Sequence, residues 1–335
     1  MNTAMTFEEK IRDVKAAVGR VRTLLESRPF DSVYFVACGG SRATMYPGKY
    51  ILERETSKIT ADNFTAREFV LAPPARFSER SIVVLNSYSG TTAETVAALR
   101  LAKDRGARTV AFTMWPDRAI GEADEVIFYE DEPSNPPPNF LTIFPAVYQV
   151  VFTILDVVEG TGWLPPVTQA LEQLDGIYAR ERAKREQELR AFAEQYWQEP
   201  IFYTTGAGLD YQMCYIMTVC ILLEAQWIHS ASFHAGEFFH GPFEVVDENT
   251  PYFVTLGLDE TRPMEERALE FLLRTSRKVF AVDARDFDLS GMEPRVRKWI
   301  APVVLNRVLQ MYGEALALRR AHPLSIRRYM GKMSY

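Results

Sequence analysis

Two stretches of this chain concentrate side chains that could do chemistry. In the first, Ser87, Ser89, Thr91 and Thr92 surround Gly90 within six positions. Glycine lets a backbone come close to a ligand, and hydroxyls donate to anionic oxygens without bringing a fixed charge of their own. One helix cap needs one hydroxyl, so four in six positions point past capping to an oxyanion such as a phosphate. Ser41, behind Cys38-Gly39-Gly40, is placed to add a fifth. In the second stretch, His229, His234 and His240 fall within twelve residues, with Glu224, Glu237 and Glu244 interleaved and Phe233, Phe238 and Phe239 beside them. Imidazoles and carboxylates are the groups of general acid–base catalysis near neutral pH.

Other chemistries fit these residues less well. Glu237 and His240 form an ExxH pair, but a carboxylate-bridged di-metal site needs two such pairs and HExxH is absent, so no metal is expected. Gly40 to Lys49 lacks the GxxxxGK[ST] spacing. Neither Cys38-Gly39-Gly40 nor Gly206-Ala207-Gly208 continues into GxGxxG, which leaves Asp62 as the one feature favouring a dinucleotide. No cofactor is expected.

The elements that must position these groups read as alternating strands and helices. Ser32–Ala37 is a β-branched and aromatic run entering the Cys38–Ser41 turn, with a helix from Arg42 to Glu55 behind it. Ser81–Leu85 enters the turn Asn86–Thr92, and Ala93–Asp104 has apolar residues at helical spacing. Thr109–Phe112 and Glu125–Tyr129 supply two further strands. Glu130–Asn139, acidic and carrying Pro136-Pro137-Pro138, must be a loop. A helix over Phe140–Glu159, a linker at Gly160–Pro166 and a long charged helix over Thr168–Trp197 follow. Such alternation predicts parallel sheets with helices on both faces, an α/β fold.

The second half repeats this pattern. Pro200–Thr205 runs into Gly206-Ala207-Gly208 and a helix, and Tyr252–Leu256 leads through Gly257-Leu258-Asp259-Glu260 into a helical Met264–Arg274. Here Gly257, Asp259 and Glu260 stand where the first copy has hydroxyls. Carboxylates repel a phosphate, so the second copy is expected to have lost its anion site.

With 335 residues the chain has room for about two domains of ordinary size. Lys and Arg number 38 against 44 Asp and Glu, a net charge of −6, and no dense basic block is present, which argues against nucleic acid as a partner. Cys38, Cys214 and Cys220 form no CxxC pair and are too few for a disulfide framework, as in a reducing compartment. Met1–Arg12 carries Glu8, Glu9 and Lys10 where a signal peptide would be apolar. Phe140–Leu155 is uncharged but 16 residues long, short of the roughly 20 that a membrane span needs. The expectation is a soluble, cytoplasmic protein with no membrane partner.

A strand entering CGGS, a second entering NSYSGTT, and a divergent second copy resemble the sugar isomerase (SIS) family over residues 30–335. That resemblance implies two tandem SIS domains, each a doubly wound, mainly parallel sheet flanked by helices, over residues 1–160 and 161–335. It also implies a sugar phosphate gripped by Ser41, Ser87, Ser89 and Thr92, with Gly40 and Thr91 as further contacts; Thr91 stands where the synthase-like pattern often has Glu. Within the family, FHAGEFFHGPFEVVD (Phe233–Asp247) and the tail RRYMGKMSY (Arg327–Tyr335) are most similar to the fructoselysine-6-phosphate and fructose-aspartate-6-phosphate deglycases. Those enzymes split a phosphorylated Amadori compound into glucose 6-phosphate and an amino acid. The likeness puts the catalytic roles on a glutamate and a histidine 16 residues apart, the spacing of Glu224 and His240. It implies Glu224 as the proton shuttle between C1 and C2, and His240 as the acid/base of ring opening. The basic tail would fold over the ligand, with Lys332 or Arg328 reaching the substrate, and a homodimer would place the site at its interface. An aminosugar-phosphate isomerase or deaminase, or a non-catalytic sugar-phosphate sensor, are the alternative readings.

Overall fold

The structure is a computed structural model that describes residues 5–131 and 136–333. Four residues at the start, part of the expected acidic loop (132–135) and the tail's last two residues, Tyr335 among them, lie outside the described residues. The chain divides into two compact units, Met1–Leu174 and Asp175–Tyr335.

In the first unit, helix α1 (Phe7–Glu26) opens with a Thr6–Glu9 capping box. It is followed by β1 (Ser32–Ala37), α2 (Gly39–Glu55), β2 (Thr60–Thr65), α3 (Ala66–Leu71), β3 (Ser81–Asn86), α4 (Ala93–Asp104), β4 (Arg108–Thr113), β5 (Glu125–Phe128), α5 (Ile143–Glu159) and α6 (Leu164–Leu171). All pairings are parallel and the strand order is β2-β1-β3-β4-β5. β1, β3 and β4 are buried along their whole length, as central strands covered on both faces must be. The chain leaves β1 toward one side of the sheet and β3 toward the other, so the ends of β1 and β3 flank the crevice where such sheets take ligands. The uncharged stretch is indeed a buried helix: Phe144 through Asp156 of α5 are all buried. Asp156 is satisfied there by the N–H groups of Trp163 and Leu164 at 2.7 and 3.0 Å. Among the described residues no helix is long and apolar enough to cross a membrane.

The second unit contains α7 (Leu174–Tyr196), β6 (Ile201–Gly206), α8 (Gly208–Ile216) continued by a π-helical segment Met217–Ala225, β7 (His229–His234), β8 (Tyr252–Leu256), α9 (Arg262–Thr275), β9 (Val279–Asp283) and α10 (Pro294–Arg319). The expected long helix over Thr168–Trp197 is two helices, because the chain breaks at Glu172-Gln173 so that Leu171 and Leu174 both enter the core. The sheet is again parallel, in order β7-β6-β8-β9, the order of the first four strands of the other unit. The repeat extends to backbone detail: Gly39 and Gly208, each the first residue of the helix after its unit's first strand, have the same φ of +53°. Only glycine adopts that conformation without strain.

Right-handed crossovers put connections that step in opposite directions on opposite faces of a parallel sheet. α8 and its π segment carry the chain from β6 outward to β7. They share one face with α10, where Ile221 packs on Gly313 and Phe253 and Phe280 meet Phe192 and Tyr312. The connection 235–251 returns from β7 past β6 to β8 on the other face, with α9, where Phe238 and Phe239 pack on Phe271 and the core includes Tyr252, Val254 and Leu272.

Candidate active site

The serine and threonine turn sits where the strand order predicts. Ser87 follows β3 and is buried, and its N–H donates to the Phe112 carbonyl at 3.1 Å. Its Oγ lies 2.9 Å from Thr92 Oγ1 and accepts from the Thr92 N–H at 3.4 Å. Ser89 Oγ accepts from the N–H and hydroxyl of Thr91 at 3.3 and 3.2 Å. Gly90 has φ +70°, and a Cβ there would stand 2.9 Å from Arg118 Cβ and 3.0 Å from the Trp115 carbonyl. The turn is thus pressed against the β4 exit, and Arg118 holds it by donating to the Ser89 carbonyl at 2.8 Å.

Asn86, which the sequence reading passed over, staples this turn to the Cys38–Ser41 turn. Its Nδ2 donates to the Ser41 carbonyl at 3.3 Å and to Thr44 Oγ1 at 3.2 Å, while its Oδ1 accepts from the Tyr129 hydroxyl at 3.2 Å. Burial pushes the Tyr129 phenol far above its ordinary value, so it remains a donor. An asparagine closing a central buried strand was the available signal, since buried polar groups need partners. The structure therefore gathers Gly40, Ser41, Ser87, Ser89, Thr91 and Thr92 at one switch point. Neither α2 nor α4 uses a side chain as its cap. The hydroxyls that sequence alone could assign to capping are not spent on it.

At the corresponding place in the second unit an internal carboxylate does the anion's work. Glu265, fully buried on α9, accepts from the Ala207 N–H at 2.8 Å and from the Gly257 N–H at 2.7 Å. Asp210 lies buried against it. Burial first, and then the charge of Glu265, push Asp210 well above the usual carboxylate range. Burial also pushes Glu265 up, against the lowering effect of its two backbone donors. Both shifts favour a proton on the pair. Asp259 and Glu260, expected to repel a phosphate here, are engaged elsewhere: Asp259 accepts from the Thr261 N–H at 2.8 Å, and Glu260 pairs with Lys298 at 3.0 Å.

Glu224 lies in the π-helical segment, facing a cavity of about 690 Å³ lined by Leu223, Trp227, His229, Arg327, Arg328 and Met330 among others. Its Oε1 is 2.7 Å from an Arg327 nitrogen. His240 belongs to the connection on the other face of the sheet, is exposed, and lines no part of that cavity. The structure thus separates the two expected catalytic residues within one chain. His234, at the end of edge strand β7, accepts from the Gly236 N–H through Nδ1 at 3.1 Å. Desolvation lowers its pKa, which favours the neutral imidazole. Lys332 donates to the Arg327 carbonyl and does not line the cavity. Among the described residues no group of three or more His, Cys, Asp or Glu side chains could hold a metal ion.

A family profile described as the SIS domain matches residues 28–153, which take in both turns of the first unit. The chain is 42% identical over 312 residues to a Bacillus subtilis protein named fructosamine deglycase FrlB, covering 93% of this chain and 94% of that one. It is 29% identical over 304 residues to the Escherichia coli fructoselysine 6-phosphate deglycase, covering 91% and 86%. Among solved structures, one named as a phosphosugar isomerase from Bacillus subtilis superposes with a TM-score of 0.93 at 40% identity, over 98% of this chain and all of that one. A Salmonella typhimurium counterpart gives 0.89 at 33% identity, over 95% and 99%. With two parallel α/β sheets, a hydroxyl-lined switch point and relatives this similar along nearly its whole length, the chain belongs to the SIS-domain family, beside the fructosamine deglycases within it.

Proposed function

We propose that this protein is a deglycase that cleaves a fructosamine 6-phosphate with water to glucose 6-phosphate and a free amino acid. The observation that carries the reading is the cluster of hydroxyls at the β1/β3 switch point, none of which caps α2 or α4, in a chain 42% identical to a protein named fructosamine deglycase. Phosphate binding belongs to the first SIS domain, residues 1–160, through Ser41, Ser87, Ser89 and Thr92, with Gly40 and Thr91 beside them. Helix N-termini and hydroxyls together suit a sugar phosphate, since both present donors to its oxygens.

Proton transfer belongs to the second domain, residues 161–335. His240 opens the sugar ring by moving the proton of the C2 hydroxyl to the ring oxygen, which exposes the C2 ketone. Glu224 takes a proton from C1 while the C2 oxygen gains one, giving the enaminol. The same carboxyl returns its proton to C2, leaving an imine at C1. Water adds to C1 and the amine departs with its electron pair and a proton. Run in heavy water, the reaction is expected to give glucose 6-phosphate with deuterium at C2 in those turnovers in which the Glu224 carboxyl exchanges its proton with solvent before returning it. A product free of it, with the shuttle group exchanging with solvent, would overturn the enaminol route.

The sheet that separates Glu224 from His240 supports a homodimer in which each site draws one of them from each chain. Glu224→Gln and His240→Asn are each expected to abolish release of glucose 6-phosphate. Mixed after unfolding and refolding together, the two inactive variants should recover about a quarter of wild-type activity, because half of randomly formed dimers carry one intact site of two. Recovery of none would place both groups in one chain.

A further inference from the structure

The cavity beside Glu224 carries more positive charge than its one carboxylate balances. Arg327 and Arg328 both line it, against Glu224, with Trp227, Leu223 and Met330 supplying apolar walls. Arg327 is held in place by its own tail: one terminal nitrogen donates to the carbonyls of Leu324 and Ile326 at 2.6 and 3.0 Å, and the other reaches Glu224 at 2.7 Å. Arg328 stacks over the Trp227 ring, its guanidinium carbon 4.3 Å from the ring centroid, with no carboxylate partner among the described residues. The lining thus has two guanidiniums, one carboxylate, and room for an amino acid; a volume of 690 Å³ is within the usual range for small-molecule sites.

We infer that this cavity takes the amine half of the substrate and that Arg327 and Arg328 hold the free carboxylate of the amino acid. The inference rests on the deglycase reading. The amine nitrogen is bonded to C1, the carbon that Glu224 deprotonates, so whatever the amine carries must lie beside Glu224. A guanidinium receives a carboxylate through paired N–H donors. An ion pair at a partly exposed site is weak, so Arg327 exchanges Glu224 for the substrate carboxylate at little cost. The exchange leaves Glu224 free of its cation when substrate is present. Arg327 is therefore both the specificity determinant for amino acids over plain amines and the positioning residue of the proton shuttle. The apolar walls would cover the aliphatic part of the amino-acid side chain.

The test compares two Amadori 6-phosphates of matched size, one made from glycine and one from isobutylamine, whose two methyls replace the carboxylate oxygens, by release of glucose 6-phosphate. Wild-type protein is expected to favour the glycine compound by about 10- to 100-fold in kcat/KM, the usual worth of hydrogen bonds to a charged group. Arg327→Gln should bring the ratio below about threefold, Arg327→Lys should retain part of it, and Arg328→Gln should lower it less. Equal turnover of both compounds by wild type overturns the carboxylate assignment and leaves the deglycase reading standing. A loss in Arg327→Gln that is equal for both compounds also overturns it, by assigning the arginine to the sugar phosphate or to Glu224 alone. No glucose 6-phosphate from either compound, or from those of lysine and aspartate, overturns the deglycase reading itself and this one with it.

Discussion

The two sheets share a strand order and a glycine at the same φ after their first strand, yet their switch points are opposite in character. In the first unit Ser41, Ser87 and Thr92 present hydroxyls, and no side chain caps either helix. In the second, Glu265 reaches the Ala207 and Gly257 N–H groups at 2.8 and 2.7 Å, with Asp210 buried behind it. In the proposed reading one copy keeps its hydroxyls for a ligand, while the other supplies a carboxylate from its own chain. A parallel sheet with helix N-termini at its strand ends creates a demand for negative charge whether or not a ligand comes. The repeat meets that demand in two ways. It teaches that a lost binding site in a duplicated fold need not be dismantled; one glutamate on the following helix is enough to fill it.

Importing that solution into the first unit should abolish ligand binding while sparing the fold. Ser41→Asp places a carboxylate in the first turn of α2, where the helix dipole favours it. A phosphate dianion brought against it meets like charge, which costs several kcal/mol. The expected outcome is a rise in KM for the sugar phosphate of about 100-fold or more with an unchanged melting temperature. A variant that binds substrate as wild type does would place the phosphate elsewhere.

A smaller effect is expected from removing one hydroxyl. Ser87→Ala deletes an oxygen 2.9 Å from Thr92 Oγ1 that also accepts from the Thr92 N–H. The loss in kcat/KM should be roughly tenfold to thirtyfold, the scale of one hydrogen bond to a charged group. It should appear with a fructosamine 6-phosphate and be nearly absent with the unphosphorylated fructosamine. An equal loss with both would make Ser87 a structural serine.

How much of this was legible in the sequence follows from where each residue sits. β1, β3 and β8 were readable because strands covered on both faces are unbroken apolar runs ending at glycine or at small hydroxyl residues. β2 (Thr60–Thr65) and β7 (His229–His234) were not, because edge strands carry polar residues and lose that signature. The histidine cluster therefore looked denser than it is; two of its three members are the first and last residues of β7, and His234 is tied to the Gly236 N–H. The hydroxyl turn was read from local composition, and its neighbour relations came from the strand order. Glu224 and His240 are 16 residues apart along the chain, yet that interval passes through an edge strand and round to the other face. The Arg327–Glu224 contact joins the tail to a π-helical segment, and no local pattern encodes such a meeting. Acidic residues in the second turn were noticed, but the effective one, Glu265, lies one helical turn further along, where only the fold aims it back at the strand ends.

The filled switch point should also report on itself through pH. In an unfolded chain Asp210 and Glu265 titrate as ordinary carboxyls near pH 4; in the native state burial raises both, Glu265 to about 8. Between these limits the native protein holds a proton that the unfolded chain has released, so stability is fully present below the unfolded pKa and declines as pH rises through the native one. The slope is about −1.4 kcal/mol per pH unit for each proton so held. Asp210→Asn keeps a donor toward Glu265 but cannot ionise, so the share of the slope that Asp210 carries disappears. Urea unfolding at pH 6 and pH 8 is expected to show wild type losing on the order of 2 kcal/mol more than the variant across that interval. Identical losses would mean that the pair is already ionised at pH 6 and that Glu265 occupies the switch point without sharing a proton. The hydroxyls of the first unit's cradle do not titrate in that interval, and the difference between wild type and Asp210→Asn isolates the copy that supplies its own anion.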